Sequence, residues 1–251
     1  MSSDWSSDVC SSDLPLENAP LEVSVVGDFD PDILVENVSK YLGSLPARGT
    51  WKPDKRPGNP EFPKDESLKL PVQTEIPKGI VLVAYPTDDY WDIHTTRRLS
   101  MLGDIVSERL RIKIREELGA SYSPYAYNHP SKAYPGYGVF KIVVPADPGQ
   151  SEKLVKAVKD LVTELNAEGI SKDELTRALK PTMTSIEEMR KKNDYWLRSV
   201  LTGCEEHPEK LDWARSIISD FNSITANEVW EMAKTYLHND RAADVIVYPE
   251  G

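Results

Sequence analysis

Six prolines fall within residues 48–78 and divide this chain of 251 residues into two unequal parts. Proline lacks an amide hydrogen and has a fixed φ, so this spacing disfavours both a helix and a central strand. We therefore predict a semi-extended, Pro-rich linker over residues 48–78 that can lie on a neighbouring surface as an ordered strap. The six are Pro53, Pro57, Pro60, Pro63, Pro71 and Pro77.

The segment before this linker is too short to form a domain of its own. Residues 21–26 have the alternation typical of a strand, and Asp30 and Pro31 suit the N-cap and first position of a helix that ends at Gly43. One strand and one helix cannot close a hydrophobic core. Residues 15–47 are therefore predicted to be the C-terminal end of a truncated preceding domain.

The first fourteen residues repeat Ser-Ser-Asp three times and have neither the basic start nor the apolar core of a secretory signal. They resemble translated sequencing-adapter contamination, and a disordered Ser/Asp tail has the same composition. Either origin makes residues 1–14 an artefactual or disordered tail, excluded from the fold. An adapter origin further implies that the reading frame is truncated upstream, so that the true N-terminus and any targeting signal are missing from this sequence.

Residues 79–251 have the pattern of a complete domain. A buried strand at 79–85 is followed by a long helix at about 93–117, two strands, a run of helices and a last strand at 242–248. Helices gathered between distant strands favour an α+β fold, with a layered, antiparallel-rich sheet packed by helices. The other predicted elements are strands 121–128 and 137–145 and helices 150–168, 171 onward, 194–201, 209–221 and 225–238, with capping boxes at Ser171–Glu174 and Thr225–Glu228.

Charge and hydropathy narrow the classes of partner. The net charge of −11 is unfavourable for nucleic-acid binding, which needs a basic face. No apolar run approaches the roughly 20 residues of a membrane-spanning helix. The negative charge is explained by solubility or by a preference for cationic peptides. We therefore predict no nucleic-acid partner and no membrane partner.

No motif in this chain predicts a metal or cofactor site. A catalytic zinc needs three protein ligands and an open fourth position. The histidines have no second His or Cys at short ligand spacing, and neither His-x-x-Glu-His nor its reverse occurs. They are His94, His129, His207 and His238.

The segment 109–125 carries the most specific signal. It reads Arg-Leu-Arg-Ile-Lys-Ile-Arg-Glu-Glu-Leu-Gly-Ala-Ser-Tyr-Ser-Pro-Tyr, a helix that ends in Arg-Glu-x-x-Gly and enters a strand. Together with Val-Val-Gly-Asp-Phe-Asp-Pro at 25–31 and Tyr-Leu-Gly-Ser-Leu-Pro at 41–46, it resembles the C-terminal, non-zinc-binding domain of a bacterial insulinase/pitrilysin-family zinc metallopeptidase. The resemblance covers residues 21–249 and implies a metallopeptidase domain like those of insulinase and the mitochondrial processing peptidase.

The same resemblance implies a division of labour. Arg115 and Tyr122 match the family's substrate-binding Arg and Tyr, which lie across a chamber from the zinc and contact the peptide backbone near the scissile bond. Zinc would belong to the full-length enzyme, supplied by an N-terminal zinc-binding half or subunit, so no activity is expected from this chain alone. The alternative is a non-catalytic scaffold or peptide-binding partner subunit. Bacterial relatives suggest the periplasm.

Simpler roles for these side chains also follow from the residues. Arg115, near a helix C-terminus, interacts favourably with the helix dipole, and Tyr122 is a common type of half-buried strand residue. A guanidinium and a phenol at one turn can alternatively hydrogen-bond a peptide carbonyl or the oxyanion formed from it. The neighbouring tyrosines are explained by hairpin packing or by a peptide-binding wall. They are Tyr125, Tyr127, Tyr134 and Tyr137.

Overall fold

The structure is a computed structural model, and it describes residues 19, 21–48, 58, 60–118, 123–147 and 149–250. These residues divide into two compact units. The smaller unit is drawn from Met1–Pro57 and Glu187–Arg215, and the larger from Gly58–Ile186 and Ser216–Gly251. The predicted tail 1–14 lies outside the described residues.

The larger unit is built on one five-stranded sheet with the order β1-β5-β2-β4-β3. Among the described strands, β1 and β5 pair in parallel, while β2 pairs antiparallel with β4 and β5, and β3 antiparallel with β4. The strands are β1 Ser67–Gln73, β2 Gly79–Thr87, β3 Tyr125–Pro130, β4 Gly138–Ala146 and β5 Ala243–Glu250. This mixed, antiparallel-rich sheet confirms the α+β class.

Helices cover one face of the sheet. The helix α2 (Ile93–Leu118) packs against β3, and α3 (Ser151–Glu168) packs against β2. Strand β2 alternates accordingly, with Val81, Val83 and Tyr85 completely buried among the helices. The remaining elements are α4 Lys172–Arg190, α5 Glu209–Ser223, α6 Ala226–Tyr236 and a 3₁₀ turn at Asn239–Arg241; the last residues of α4 and the first of α5 belong to the smaller unit.

The other face of this sheet, which we call the open face, is apolar and accessible to solvent. Ile80, next to buried Val81 on β2, is 46% exposed, and Tyr125 on β3 is 50% exposed. The strand pairing places further apolar side chains on the same face. They are Leu68, Leu70, Val72, Leu82, Tyr127, Val245 and Val247.

The smaller unit contains α1 (Pro31–Tyr41) and a π-helical segment, Tyr195–Leu201. The Asp30 side chain accepts hydrogen bonds from the amides of Asp32 and Ile33, which confirms the predicted N-cap. A separate core lies around the π-helical segment: Tyr195, Val200 and Ala214, with Met189, Trp196 and Leu211 packed against them.

The structure differs from the sequence analysis in two places. Residues 21–26 form no strand in the part of the chain described, because a strand exists only when a neighbour supplies its hydrogen bonds. The linker predicted over 48–78 contains β1, which pairs with β5 from Ser67↔Asp244 to Gln73↔Glu250. Pro71 is compatible with β1 because β1 is an edge strand, where a missing amide hydrogen costs least.

The capping motifs predicted helix starts more accurately than alternation predicted strands. Thr225 and Glu228 form the predicted capping box at the start of α6, and Ser171 and Glu174 form the predicted one at α4. The predicted strand at 121–128 begins later, at Tyr125, and residues 119–122 lie outside the description.

Candidate functional site

The helix α2 positions the predicted site. Its apolar stripe includes Leu99, Leu102, Val106 and Leu110, all completely buried, so the helix is fixed against the sheet along most of its length. The stripe ends near Ile114, and the following Arg115 is an exposed residue in the last helical turn. A cation here is favoured by the partial negative charge of the helix C-terminus.

Four of the five arginines in α2 bind carboxylates. Arg97 and Arg98, at the helix start, both contact Asp220, and the Arg97–Asp220 pair is almost completely buried, with side chains 5% and 4% exposed. Near the other end, Arg109 binds Glu174 and Arg111 binds Glu108. The pairs of Arg97, Arg98 and Arg109 hold α2 against other helices, whereas the Arg111–Glu108 pair lies within α2.

Arg115 is the exception. Among the residues that the structure describes, none forms a hydrogen bond or ion pair with its guanidinium. An exposed guanidinium without a carboxylate partner among the described residues can donate its hydrogen bonds to a ligand. Its planar set of N–H groups matches the geometry of a carbonyl or carboxylate oxygen. Tyr122, the other predicted site residue, lies outside the described residues, so its distance from Arg115 stays a prediction.

Strand β3 presents tyrosines to the open face. Tyr125 and Tyr127 stack at a centroid separation of 5.9 Å, and Lys141 lies 5.8 Å from the Tyr127 ring centroid. Strand β3 is at the edge of the sheet, so only one of its sides is paired with a described strand. An edge strand lined by aromatic side chains can receive an extended peptide.

Two residues that the sequence analysis did not single out fix β3 to α2. The Ser107 hydroxyl accepts a 2.8 Å hydrogen bond from the Ala126 amide and donates one of 2.7 Å to the Gly103 carbonyl. Gly103 itself lies so close to β3 that an added Cβ would be 3.0 Å from the Ala126 carbonyl oxygen. A glycine inside a strongly periodic helix was the available signal for this close approach.

The described residues do not fit a zinc site. No group of three or more His, Cys, Asp or Glu side chains in the described part of the chain could hold a metal ion. Burial alone would raise the pKa of Asp220, but hydrogen bonds from Arg97 and His94 hold that pKa below its ordinary value. His94 Nδ1 lies 2.7 Å from Asp220, so this histidine belongs to the ion cluster that anchors the start of α2.

A family profile described as the peptidase M16 inactive domain matches residues 18–181, more than half of the chain. The chain belongs to the peptidase M16 family. This confirms the resemblance to insulinase/pitrilysin-type zinc proteases, and the matched part is the domain that the family describes as inactive.

Relatives agree with this assignment. The chain is 26% identical over 239 residues to the uncharacterized zinc protease YmxG of Bacillus subtilis, covering 91% of this chain and 54% of that protein. It is 25% identical over 203 residues to a PQQL-like zinc protease of Arabidopsis thaliana, covering 72% of this chain and 20% of that protein. The M16 chain thus spans between a fifth and about half of these curated relatives.

A solved structure shows the same fold. The periplasmic protease PqqL from Escherichia coli superposes with a TM-score of 0.71 at 18% identity, covering 90% of this chain and 25% of that one. In the described residues, no helix has the length and apolar character needed to cross a membrane.

Proposed function

We propose that this M16 domain binds and positions a peptide substrate opposite a zinc site supplied by an N-terminal half or subunit. The observation that carries the proposal is Arg115: it is exposed, at the end of a rigid helix, and without a partner among the described residues. The other arginines of α2 each pair with a carboxylate. Arg115 differs from them, because no described residue pairs with it.

The proposed chemistry of this half is hydrogen bonding. The Arg115 guanidinium donates to a carbonyl of the peptide backbone, and the Tyr122 phenol donates to the same carbonyl or to the oxyanion that forms from it. One well-placed donor of this kind contributes about 10²–10³ in rate in comparable sites. Because the described residues do not fit a metal, zinc and its ligands are assigned to the other half.

The exposed apolar side chains of the open face support the presence of a second half or subunit that covers them. Monomeric proteins rarely leave so continuous an apolar surface in water, and such surfaces usually mark an interface. Leu68, Leu70 and Ile80 are 51%, 40% and 46% exposed. YmxG is about twice as long as the part matched here, which leaves room for a second half in a relative of this chain. We assign the open face to contact with the zinc-bearing half.

An Ile80→Lys variant tests that contact. Lysine at this central, exposed strand position should leave folding nearly unchanged, because surface substitutions usually alter stability by less than about 0.5 kcal/mol. We expect loss of co-purification with the co-expressed zinc-bearing half. Glu116→Lys, an exposed change on α2, is the matched control. Unchanged co-purification of both variants would remove the open face from the interface.

The catalytic experiment uses the reconstituted enzyme and a neutral peptide. Arg115→Ala and Tyr122→Phe are each expected to reduce kcat/KM at least tenfold, whereas Arg111→Ala, which removes a carboxylate-paired cation one turn earlier, should stay near wild type. Values for the two site variants within about twofold of wild type would contradict the proposal. Complete absence of hydrolysis by the wild-type assembly, with peptide binding retained, would instead establish the non-catalytic peptide-binding subunit.

A periplasmic location is also proposed, supported by the fold shared with the periplasmic protease PqqL of E. coli. Fractionation of the native host, with detection of the full-length gene product, tests it. Recovery with cytosolic markers would contradict it.

A further inference from the structure

The smaller unit contains a segment whose apolar side chains are left in solvent. Apolar and polar residues alternate along residues 21–25, and the apolar ones, Leu21, Val23 and Val25, are 50%, 51% and 41% exposed. Glu22 accepts a 3.0 Å hydrogen bond from the Gly203 amide, which follows the π-helical segment. The segment is therefore attached to the smaller unit through a polar residue, while its apolar residues remain open to a partner.

The backbone of this segment is open as well. In the part of the chain that the structure describes, no backbone N–H or C=O group of residues 21–26 takes part in a hydrogen bond. Water can serve these groups while the segment is exposed, but they need protein partners once the apolar side chains are covered. The edge of a β-sheet offers a row of donors and acceptors at the required spacing.

The helix α1 has an uncovered apolar stripe. Leu34, Val38, Tyr41 and Leu45 recur every three or four residues along the helix and the turn after it, which is the spacing of one helix face. Val38, Tyr41 and Leu45 are 38%, 62% and 41% exposed, and no residue of α1 is buried. Helices gain most of their stability by packing an apolar face, so this stripe is suited to lie on a further surface.

The order of these two features indicates the kind of surface. Residues 27–30 join the segment to α1, and connections of about two to six residues are usual between a strand and a helix that covers its sheet. The described residues of the smaller unit, 19, 21–48 and 187–215, contain no strand. A single β-sheet from elsewhere would supply both an edge for residues 21–26 and a face for α1.

The sequence disfavours two sources of that sheet. Residues 1–20 and 49–57, the rest of the smaller unit, are rich in serine, aspartate and proline and have no strand-length run of alternating apolar residues. A second copy of this chain would bring another net charge of −11 against the first. YmxG, by contrast, is about twice as long as the part matched here, so a relative of this chain has room for a further domain.

We infer that the smaller unit completes the zinc-bearing half. Residues 21–26 pair as a strand with the edge of a β-sheet in that half, and the apolar stripe of α1 packs on a face of the same sheet. This contact surface is additional to the open face, which belongs to the larger unit. The inference rests on the proposed function, since it takes the zinc-bearing half as the partner.

Hydrogen exchange followed by mass spectrometry tests the strand, on this chain alone and on its complex with the co-expressed zinc-bearing half. We expect the amides of residues 21–26 to exchange rapidly in the chain alone and about 100-fold more slowly in the complex. Equally rapid exchange in both would overturn the inference. Protection already present in the chain alone would also overturn it, and would assign the surface to another segment of this chain or, if it rises with concentration, to a second copy.

Two lysine variants test the helix. Val38→Lys places a charge in the apolar stripe, whereas Glu36→Lys, the matched control, places one on the polar side of α1. Val38→Lys should reduce co-purification with the zinc-bearing half at least about tenfold, because a lysine without a partner is costly to bury. Glu36→Lys should not. Both variants should keep the Tm of this chain alone within about 3 °C of wild type. Equal co-purification of the two variants would overturn the inference.

Arg115→Ala separates this inference from the proposed role in substrate binding. It lies in the larger unit, so assembly and the protection of residues 21–26 should be unchanged while peptide hydrolysis falls. Protection of residues 21–26 together with unaltered hydrolysis in Arg115→Ala would support the inference and contradict the substrate role. Impaired hydrolysis in Arg115→Ala with residues 21–26 unprotected in the wild-type complex would do the reverse.

Discussion

Arg109 and Glu174 form a bidentate ion pair between α2 and α4, with Nε 2.6 Å from Oε1 and Nη2 3.1 Å from Oε2. The same arginine donates a 2.6 Å hydrogen bond to the Gly169 carbonyl, just after α3. Glu174 also closes the capping box with Ser171. A single guanidinium thus ties α2 to α4 and to the residue that follows α3.

This ion pair predicts a specific acid sensitivity. Burial opposes ionisation of Glu174, but hydrogen bonds from Arg109 and Ser171 outweigh it and lower the pKa to about 2 from 4.5. A lowered pKa contributes stability above pH 4.5, and that contribution is lost as the pH falls from 4.5 towards 2. We expect Glu174→Gln to lower the free energy of unfolding by about 1–3 kcal/mol at pH 7. Urea denaturation at a series of pH values should also show a weaker dependence of this free energy on pH below 4.5 in the variant.

Glu164→Gln is the control for that measurement. Glu164 pairs with Lys113 between α2 and α3 but is half exposed, so its loss should cost no more than about 1 kcal/mol. Similar losses in both variants would show that the cap and the Arg109 contacts contribute nothing specific.

The buried cluster at the start of α2 predicts a larger effect. Asp220→Asn removes the carboxylate that Arg98 and the 5% exposed Arg97 both contact, and weakens the contact with His94. Breaking one side of a buried ion pair typically costs about 3–5 kcal/mol. Chemical denaturation should show this loss, with Asp212→Asn, a change in an exposed pair, as the control. A loss below about 1 kcal/mol would mean that water reaches the cluster.

Gly103→Val tests the contact between α2 and β3. A Cβ at this position would lie 3.0 Å from the Ala126 carbonyl and 3.2 Å from the Tyr127 Cα, and valine adds two further methyl groups. Because backbone must move, we expect a cost of about 1–3 kcal/mol and altered NMR shifts in β3. Ser100→Val, an exposed position on the same helix, controls for helix propensity. Unperturbed β3 shifts in Gly103→Val would contradict the close approach.

Asp104→Asn is expected to stabilise the fold at neutral pH, whereas Glu174→Gln and Asp220→Asn are expected to destabilise it. Burial raises the pKa of Asp104 above its ordinary value, although the hydrogen bond from Thr182 acts in the opposite direction. A raised pKa in the folded state means that the charged carboxylate opposes folding, so stability falls as the pH rises through the raised pKa. Removing the charge should stabilise the fold at pH 7 by at most about 0.5 kcal/mol, because Asp104 is exposed. Thermal unfolding at pH 7 and at pH 3 measures this, and the difference should vanish at the lower pH. A destabilised variant at pH 7 would mean that Asp104 has a cation partner.

Some of the site could be predicted from sequence and some could not. Arg115 at a helix end followed from its position before Gly119, and its exposure agrees with that placement. The role of Ser107 could not be predicted, since its hydroxyl is useful only because Ala126, nineteen residues later, is adjacent in space. The contrast between Asp104 and Glu108 was also hidden, because both are carboxylates on one helix and differ only in their partners.

The sequence by itself determined the local features of this protein. Asp30 and Pro31 start α1, and Thr225 and Glu228 start α6, because caps satisfy backbone groups within a few residues along the chain. The tertiary structure alone decided that β1 completes the sheet beside β5 and that residues 21–26 form no strand in the described part of the chain. A strand depends on hydrogen bonds to residues far away in the sequence, so its existence is settled only when its partner is in place.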